Sequence, residues 1–260
     1  MGVALITGAS SGLGLEFAKL FAKDGHSLIL VARRKDLLEQ EAARLRSEFP
    51  AIKVNIVDMD LGVPGAGRQL FDKVNAQNLN IEFLVNNAGF GNTGSFSQQS
   101  LAKEMQLIDL NVRTLVELTH LFLPGMIKAG AGKILNVGSV AGFQPGPMMS
   151  TYYASKAFVN SFSEGLHEEL KGTGVTCTVL APGATATEFA KASGVENARL
   201  FASGSVASSM TVAEVGYRAM MRGCALAIPG FKNNMMVQSV RFSPRFLVRK
   251  IAAYVNKPAQ

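Results

Sequence analysis

Cysteine is scarce in this chain. Two thiols, Cys177 and Cys224, serve 260 residues. They cannot form the disulfide framework of a small secreted domain, and no paired-cysteine metal motif is present. Both sit in apolar or small-residue runs, which predicts buried free thiols. His26, His120 and His167 lie far apart in sequence, so they suggest packing or surface histidines and no metal site. Long apolar runs are missing as well; none approaches the ~18 residues of a membrane-spanning helix. The start, Met1 to Ile6, has no basic stretch before its short apolar run. That predicts a first strand, not a signal peptide, and a soluble cytoplasmic protein. Only 17% of residues are charged, yet 48% are hydrophobic, which excludes disorder as the dominant state. Acids are absent from one whole stretch. Val215 to Gln260 holds eight cations and no acid, leaving 18 cations against 19 acids elsewhere. The net charge of +7 therefore belongs to the last segment, and the rest is near neutral.

What is present is a rhythm of short apolar runs and helical stretches. The runs lie at residues 2–6, 27–32, 52–57, 82–86, 133–138, 175–180 and, less sharply, 224–228. Continuous apolar runs of this length suit strands buried on both faces. Between them, Phe17, Leu20 and Phe21, then Leu38, Ala42, Leu45 and Phe49, follow the helix period. Repeated βα alternation predicts one α/β domain: a doubly wound, mostly seven-stranded parallel sheet with helices on both faces. Its span is 1–230. Residues 184–212, rich in Ala, Ser and Gly, read as a substrate-binding loop, and 231–260 as a basic C-terminal helical extension.

Thr7-Gly8-Ala9-Ser10-Ser11-Gly12-Leu13-Gly14 joins the first strand to the first helix. Gly8 permits a tight turn, Gly12 lets backbone approach a pyrophosphate, and Gly14 allows close helix packing. A helix N-terminus after such a turn offers free N–H groups to phosphate. At the end of the second strand stand Arg33, Arg34 and Lys35, with no acid before Asp36. An acid there would bond the ribose of NAD, whereas arginine accommodates the 2′-phosphate of NADP. The pattern favours NADP(H). Tyr152 and Lys156 are four apart at the head of a helical stripe, so they share a face. A neighbouring ammonium favours a phenolate, which predicts a lowered Tyr152 pKa and a general acid–base.

Together these features resemble the short-chain dehydrogenase/reductase family, from the first strand to about residue 188. The resemblance implies a catalytic tetrad of Asn111, Ser139, Tyr152 and Lys156. It implies cofactor contacts from Gly8, Ser10, Ser11, Gly12, Leu13 and Gly14, from Arg33 and Arg34, and from Asp60 and Leu61. It adds Asn87, Ala88 and Gly89 of the Asn86-Asn87-Ala88-Gly89 signature, and Pro182, Gly183, Thr185 and Thr187. Thr185 departs from the family, which often has Val or Ile there. The implied chemistry is hydride transfer between NADP(H) and a carbonyl or alcohol. Tyr152 exchanges the proton, Ser139 polarises the oxygen, Lys156 lowers the Tyr152 pKa, and Asn111 holds a water leading to Lys156.

Phe90, Phe143, Met148, Met149, Phe189, Phe201 and Met210 lie in segments that surround the family's substrate site. With Gln144 they suggest an apolar or amphipathic small molecule. Two other readings stand beside this one: a 3-oxoacyl thioester reductase, and a catalytically silent NADPH-sensing protein, against which the intact tetrad counts. No nucleic-acid recognition motif is present. The resemblance also implies a homodimer or homotetramer through helices around 98–126 and 152–171. In the basic tail, Val248, Ile251, Ala252 and Val255 form an apolar stripe near Arg245, Arg249 and Lys250. That stripe fits either packing on the domain or contact with an anionic surface or acidic carrier.

Overall fold

The structure is a computed structural model and describes residues 1–194 and 206–256, with backbone only for Lys191 and Ala192. Phe201 and Lys257 lie outside the described residues. Successive side chains of a strand point to opposite faces, so an unbroken apolar run needs a helix layer on each side. In β1 (Val3–Thr7), Ala4 and Ile6 enter one core and Leu5 the other. In β2 (Ser27–Ala32), Leu28 and Leu30 oppose Ile29 and Val31 in the same way. The sheet continues with β3 (Val54–Asp58), β4 (Ile81–Asn86), β5 (Gly132–Val137) and β6 (Val175–Leu180), and ends at the short strand Leu226–Ala227. All seven are parallel, in the order β3-β2-β1-β4-β5-β6 and then the edge strand. The predicted doubly wound α/β sheet is thus the observed one.

One helix layer holds α1 (Gly12–Lys23), α2 (Lys35–Glu48) and the later helix Ser209–Arg222; Phe17, Phe21, Leu38, Leu45 and Met220 fill it. The other holds α3 (Ala66–Asn75), α5 (Leu115–Ala129) and α6 (Ser150–Glu169), filled by Leu70, Leu118, Phe122 and Leu166. Between α5 and the preceding α4 (Leu101–Ile108) the chain widens into a π-helical turn, Asp109–Thr114. Polar groups cross the second core at one level. Asn86 and Asn136 are register partners on β4 and β5, and the Asn86 amide donates to Asn136 Oδ1 at 2.9 Å. Asn136 in turn donates to Ser163 Oγ at 2.9 Å.

Two sequence expectations are corrected. The loop expected over 184–212 is shorter: Thr185–Ala186 pairs in parallel with Ala207–Ser208, and a helix starts at Ser209. Ser208 caps that helix by accepting from Thr211 N at 3.1 Å, a helix-start signal that weak apolar periodicity hid. Cys177 is buried, and burial pushes its thiol up to about 12, but Cys224 is exposed. Cys224 follows Gly223, whose positive φ of 68° ends the helix at the sheet edge, where no layer covers it. The basic tail is helical, as expected, in two pieces: Phe231–Phe242 and Arg245–Val255.

Phe21 anchors the first layer. Its ring meets Tyr217 at 4.9 Å, Phe83 at 5.1 Å and His26 at 5.9 Å, and it has no exposed surface. Phe21→Ala removes all three contacts at a site walled by sheet and helix. A loss of about 3–5 kcal/mol is expected, read from denaturant melts. A loss below about 1 kcal/mol would show that this layer collapses around the gap and is not rigid.

Candidate active site

A parallel sheet opens a crevice where its strand order reverses, outside the carboxyl ends of the strands. Here the reversal falls between β1 and β4. The turns that follow these two strands are bolted together. Asn87 donates from its side-chain amide to Thr7 O at 2.9 Å and Gly8 O at 3.2 Å. Thr7 Oγ1 accepts from Asn87 N and Ala88 N, both at 3.0 Å. Gly8 and Gly12 take φ of 67° and 55°, the left-handed region that suits glycine. A Cβ on Gly14 would collide with the Gly8 carbonyl, so only glycine lets α1 start this close to the turn. No side chain caps α1, and no acid lies in its first turn. Its N–H groups and positive dipole end are open to an anion.

From this cradle a single cavity of about 670 Å³ runs to the end of β5 and beyond. That volume suits a cofactor-sized ligand. The predicted cofactor residues on its wall are Gly8, Ser10, Ser11, Gly12, Leu13, Arg33, Arg34, Asp60, Leu61, Asn87, Ala88, Gly89, Pro182, Gly183, Thr185 and Thr187. Gly14 stands behind the wall, where its role is packing. The fit to a dinucleotide is therefore good at the phosphate end: an uncapped helix, bare glycines and two arginines. Glu188 was not foreseen there. Arg34 Nη2 donates to Glu188 Oε2 at 2.6 Å, and also to Ser10 Oγ at 3.1 Å and Ser11 Oγ at 2.9 Å. Ser11 Oγ donates to the same Glu188 oxygen at 2.8 Å. A carboxylate thus sits among the groups expected to meet a phosphate. Nothing in a lone acid after Thr187 signals this, because the contact spans 154 residues. Thr185 Oγ1 is turned to Gly183 O at 3.0 Å.

At the other end the structure brings Ser139, Tyr152 and Lys156 together on the cavity wall. Ser139 follows β5 and is held by its neighbours: its Oγ accepts from Ala141 N at 3.0 Å and donates to Pro182 O at 3.3 Å. Asn160 donates to Ser139 O at 3.0 Å, one helical turn beyond Lys156. Lys156 Nζ donates to Val137 O at 2.7 Å and lies 5.9 Å from the Tyr152 ring centre. Burial pushes Lys156 down to about 8. Burial also pushes the Tyr152 phenol up from its ordinary value, with its Ser139 hydrogen bond offsetting part of that. The lowered phenol pKa read from the sequence is therefore absent from this geometry, because desolvation outweighs everything else around the ring.

Asn111 does not line the cavity. It sits in the π-helical turn, a distortion common at functional sites. Its side chain donates to Phe90 O at 3.0 Å and Ser155 Oγ at 3.1 Å, and accepts from Phe90 N at 3.1 Å. Gly89 separates it from Lys156: a Cβ there would lie 3.0 Å from Asn111 Oδ1 and 3.5 Å from Lys156 Nζ. A bare glycine leaves that gap open.

Of the expected substrate-wall residues, Phe90, Gln144, Met149 and Phe189 line the cavity. Phe143 is not on its wall, and Met148 and Met210 are exposed. The sequence missed the far wall. The C-terminal helices supply it with Met236, Val240, Val248, Ile251 and Val255. Tyr153 locks them down, donating to Asn256 Oδ1 at 2.9 Å, while Asn256 donates to Pro147 O at 2.9 Å. Val248 and Ala252 are buried, so packing on the domain is the reading of the tail's apolar stripe that holds. Among the described residues, no cluster of His, Cys, Asp or Glu is placed to hold a metal, and no helix is long and apolar enough to cross a membrane.

The chain resembles known proteins over most of its length. Residues 2–232 match the family model for short chain dehydrogenase. The chain is 41% identical to sulfoacetaldehyde reductase 2 of Chromohalobacter salexigens over 189 residues, covering 72% of this chain and 74% of that protein. It is 34% identical to the very-long-chain 3-oxoacyl-CoA reductase of Anas platyrhynchos over 196 residues, 73% of this chain but 62% of that protein. A short-chain dehydrogenase from Sphingobium yanoikuyae, solved in complex with NADPH, is 34% identical and superimposes with a TM-score of 0.84, covering 95% of each chain. An uncapped glycine cradle, a doubly wound sheet and a family match over almost the whole length lead to one conclusion: the chain belongs to the short-chain dehydrogenase/reductase family of oxidoreductases.

Proposed function

We propose that this enzyme uses NADP(H) to reduce the carbonyl group of an uncharged, apolar or amphipathic small molecule. The observation that carries the proposal is one continuous cavity. Its near end offers Arg33, Arg34 and the bare glycine turn, its middle offers Ser139, Tyr152 and Lys156, and its far wall is uncharged, mostly aliphatic with Asn233, Ser239 and Ser243 among the aliphatics. Arg33 and Arg34 support NADP(H) over NAD(H), because a guanidinium fork matches a 2′-phosphate. When bound, the nicotinamide supplies or accepts the hydride. Ser139 Oγ, held by the Ala141 amide, turns its one hydrogen from Pro182 O to the substrate oxygen as charge develops on it. Tyr152 gives that oxygen its proton. Burial holds the phenol protonated around neutrality, so the free site stands ready for reduction, while oxidation needs the phenol deprotonated and gains from higher pH. Lys156 stands beside the phenol, and Asn111 steadies the Phe90 strap under both. Tyr152→Phe should keep NADPH binding and lower turnover by about 10²–10⁴. Undiminished turnover would remove Tyr152 from the role of acid.

The far wall supports the substrate class. Among the described residues, its lining from the C-terminal helices carries no charge. A sulfonate has no cation to meet there, although a sulfoacetaldehyde reductase is a near relative. An NADPH-oxidation panel of bulky ketones, acyl thioesters and sulfoacetaldehyde tests this. The bulky or long-chain compounds should exceed sulfoacetaldehyde in kcat/KM by about tenfold or more, the value of one well-made polar contact. The reverse order would overturn the substrate class. NADPH binding with no turnover of any carbonyl would favour the sensing reading.

Assembly follows the same evidence. Leu101 and Met105 on α4 and Phe158 on α6 are exposed large apolar residues, and Phe158 stacks on Phe162 at 5.7 Å. They support a homodimer through these helices. At the phosphate end, Glu188 must release Arg34 and Ser11 before a phosphate takes its place. Both partners are largely solvent-exposed, so the pair is worth little, about 1 kcal/mol at most. Glu188→Gln should tighten NADPH about two- to fivefold in a fluorescence titration, less at high salt. Equal or weaker binding would make Glu188 a strut of the site rather than a competitor.

A further inference from the structure

The outer surface of the two C-terminal helices has no place in the chemistry above. On Phe231–Phe242, the residues Phe231, Met235 and Phe242 recur four and seven apart, so they share one face. That face is opposite Met236, Val237 and Val240, which turn inward to the cavity and core. Phe231 and Phe242 are 80% and 87% exposed. On Arg245–Val255, Phe246, Lys250 and Tyr254 are four apart on the face opposite buried Val248 and Ala252. Leu247 and Ile251 stand exposed beside them. Apolar exposure on this scale marks a contact surface.

The charge on that surface names the partner's sign. Lys232, Arg241, Arg245, Arg249 and Lys250 are exposed, and among the described residues none has an ion-pair partner. No acid occurs from Val215 onward. A second copy meeting this face would set five cations against five, so self-association is opposed. Aromatic rings interleaved with cations along the outer faces of two helices match helices that lie in the plane of a headgroup layer. We propose that this two-helix surface docks the enzyme on an anionic lipid surface, Phe231, Phe242 and Phe246 entering the acyl boundary and the cations meeting lipid phosphates. The docking face is not the Val248–Ala252 stripe, which the fold has already covered. Ile251 belongs both to the cavity wall and to the exposed surface, so the apolar end of the cavity opens beside the lipid. That last link rests on the substrate reading above; the docking itself does not.

Vesicle sedimentation of the full chain tests the docking without any turnover. Vesicles of about 30% phosphatidylserine in phosphatidylcholine should bind the protein, and about 0.5 M salt should release it. Combined Phe231→Ser, Phe242→Ser and Phe246→Ser should weaken binding about tenfold or more. Combined Lys232→Glu, Arg241→Glu and Arg249→Glu should abolish the preference for the anionic vesicles. Both variants should keep the wild-type melting temperature, NADPH affinity and turnover of a water-soluble ketone, because all six side chains are exposed and off the cavity wall. No binding to anionic vesicles, or equal binding to phosphatidylcholine alone, would overturn the proposal. So would a serine variant that shrinks the assembly in light scattering while wild type ignores vesicles, which would assign the surface to a second copy. Capture of an acidic peptide in place of vesicles would assign it to a protein partner.

Discussion

Thr7 and Asn87 join the ends of two strands that are neighbours in space and 80 residues apart in sequence. The amide of Asn87 reaches two carbonyls of the first turn, and the Thr7 hydroxyl takes two backbone N–H groups of the second. These groups are buried or half-buried, so leaving any of them unpaired would cost about 1–3 kcal/mol. The clamp therefore fixes the width of the crevice before any ligand arrives. The uncapped helix lies on one side of it and the strap from Gly89 to Phe90 on the other. Every later feature of the site, from the Arg34 network to the Lys156 bond with Val137, takes its position from walls that this clamp sets.

The C-terminal helices are the second determinant. They contribute none of the expected catalytic residues, yet they close the far end of the cavity. Their attachment is sparse and specific: one tyrosine hydroxyl, one asparagine and a few buried aliphatics. Gly146 is part of it, since any Cβ there would strike the Tyr153 ring. A wall fixed by so few bonds can diverge between relatives while the catalytic floor stays the same.

Local pattern revealed the sheet, the glycine turn and the candidate side chains that meet on the cavity wall, because each has a short-range signature. Buried strands are continuous apolar runs, the turn needs positive φ, and Tyr152 and Lys156 share a helix face. What stayed hidden depends on contacts far apart in sequence. Glu188 meets Arg34 only because the segment after β6 folds back over the first turn. The helix Phe231–Phe242 turns Met236, Val237 and Val240 inward and Phe231, Met235 and Phe242 outward, so apolar residues on both faces blur its periodicity. The direction of the Tyr152 shift was hidden for another reason: sequence spacing shows the neighbouring charge but not the burial, and burial wins. Cys224 shows the same limit in a simpler form, since a small-residue run at a sheet edge reads like one in a core.

The amide pair Asn86–Asn136 has a geometric consequence for catalysis. Two side-chain amides facing each other in the interior work as a vernier mark between strands. A slip of β5 by one residue would send Asn136 to the opposite face and leave Ser163 and Asn86 without it. Ser139 is three residues further along the same strand direction and would move by about 3.3 Å, more than a hydrogen-bond length. The placement of Ser139 on the cavity wall is thus calibrated from below, by a pair buried in the core.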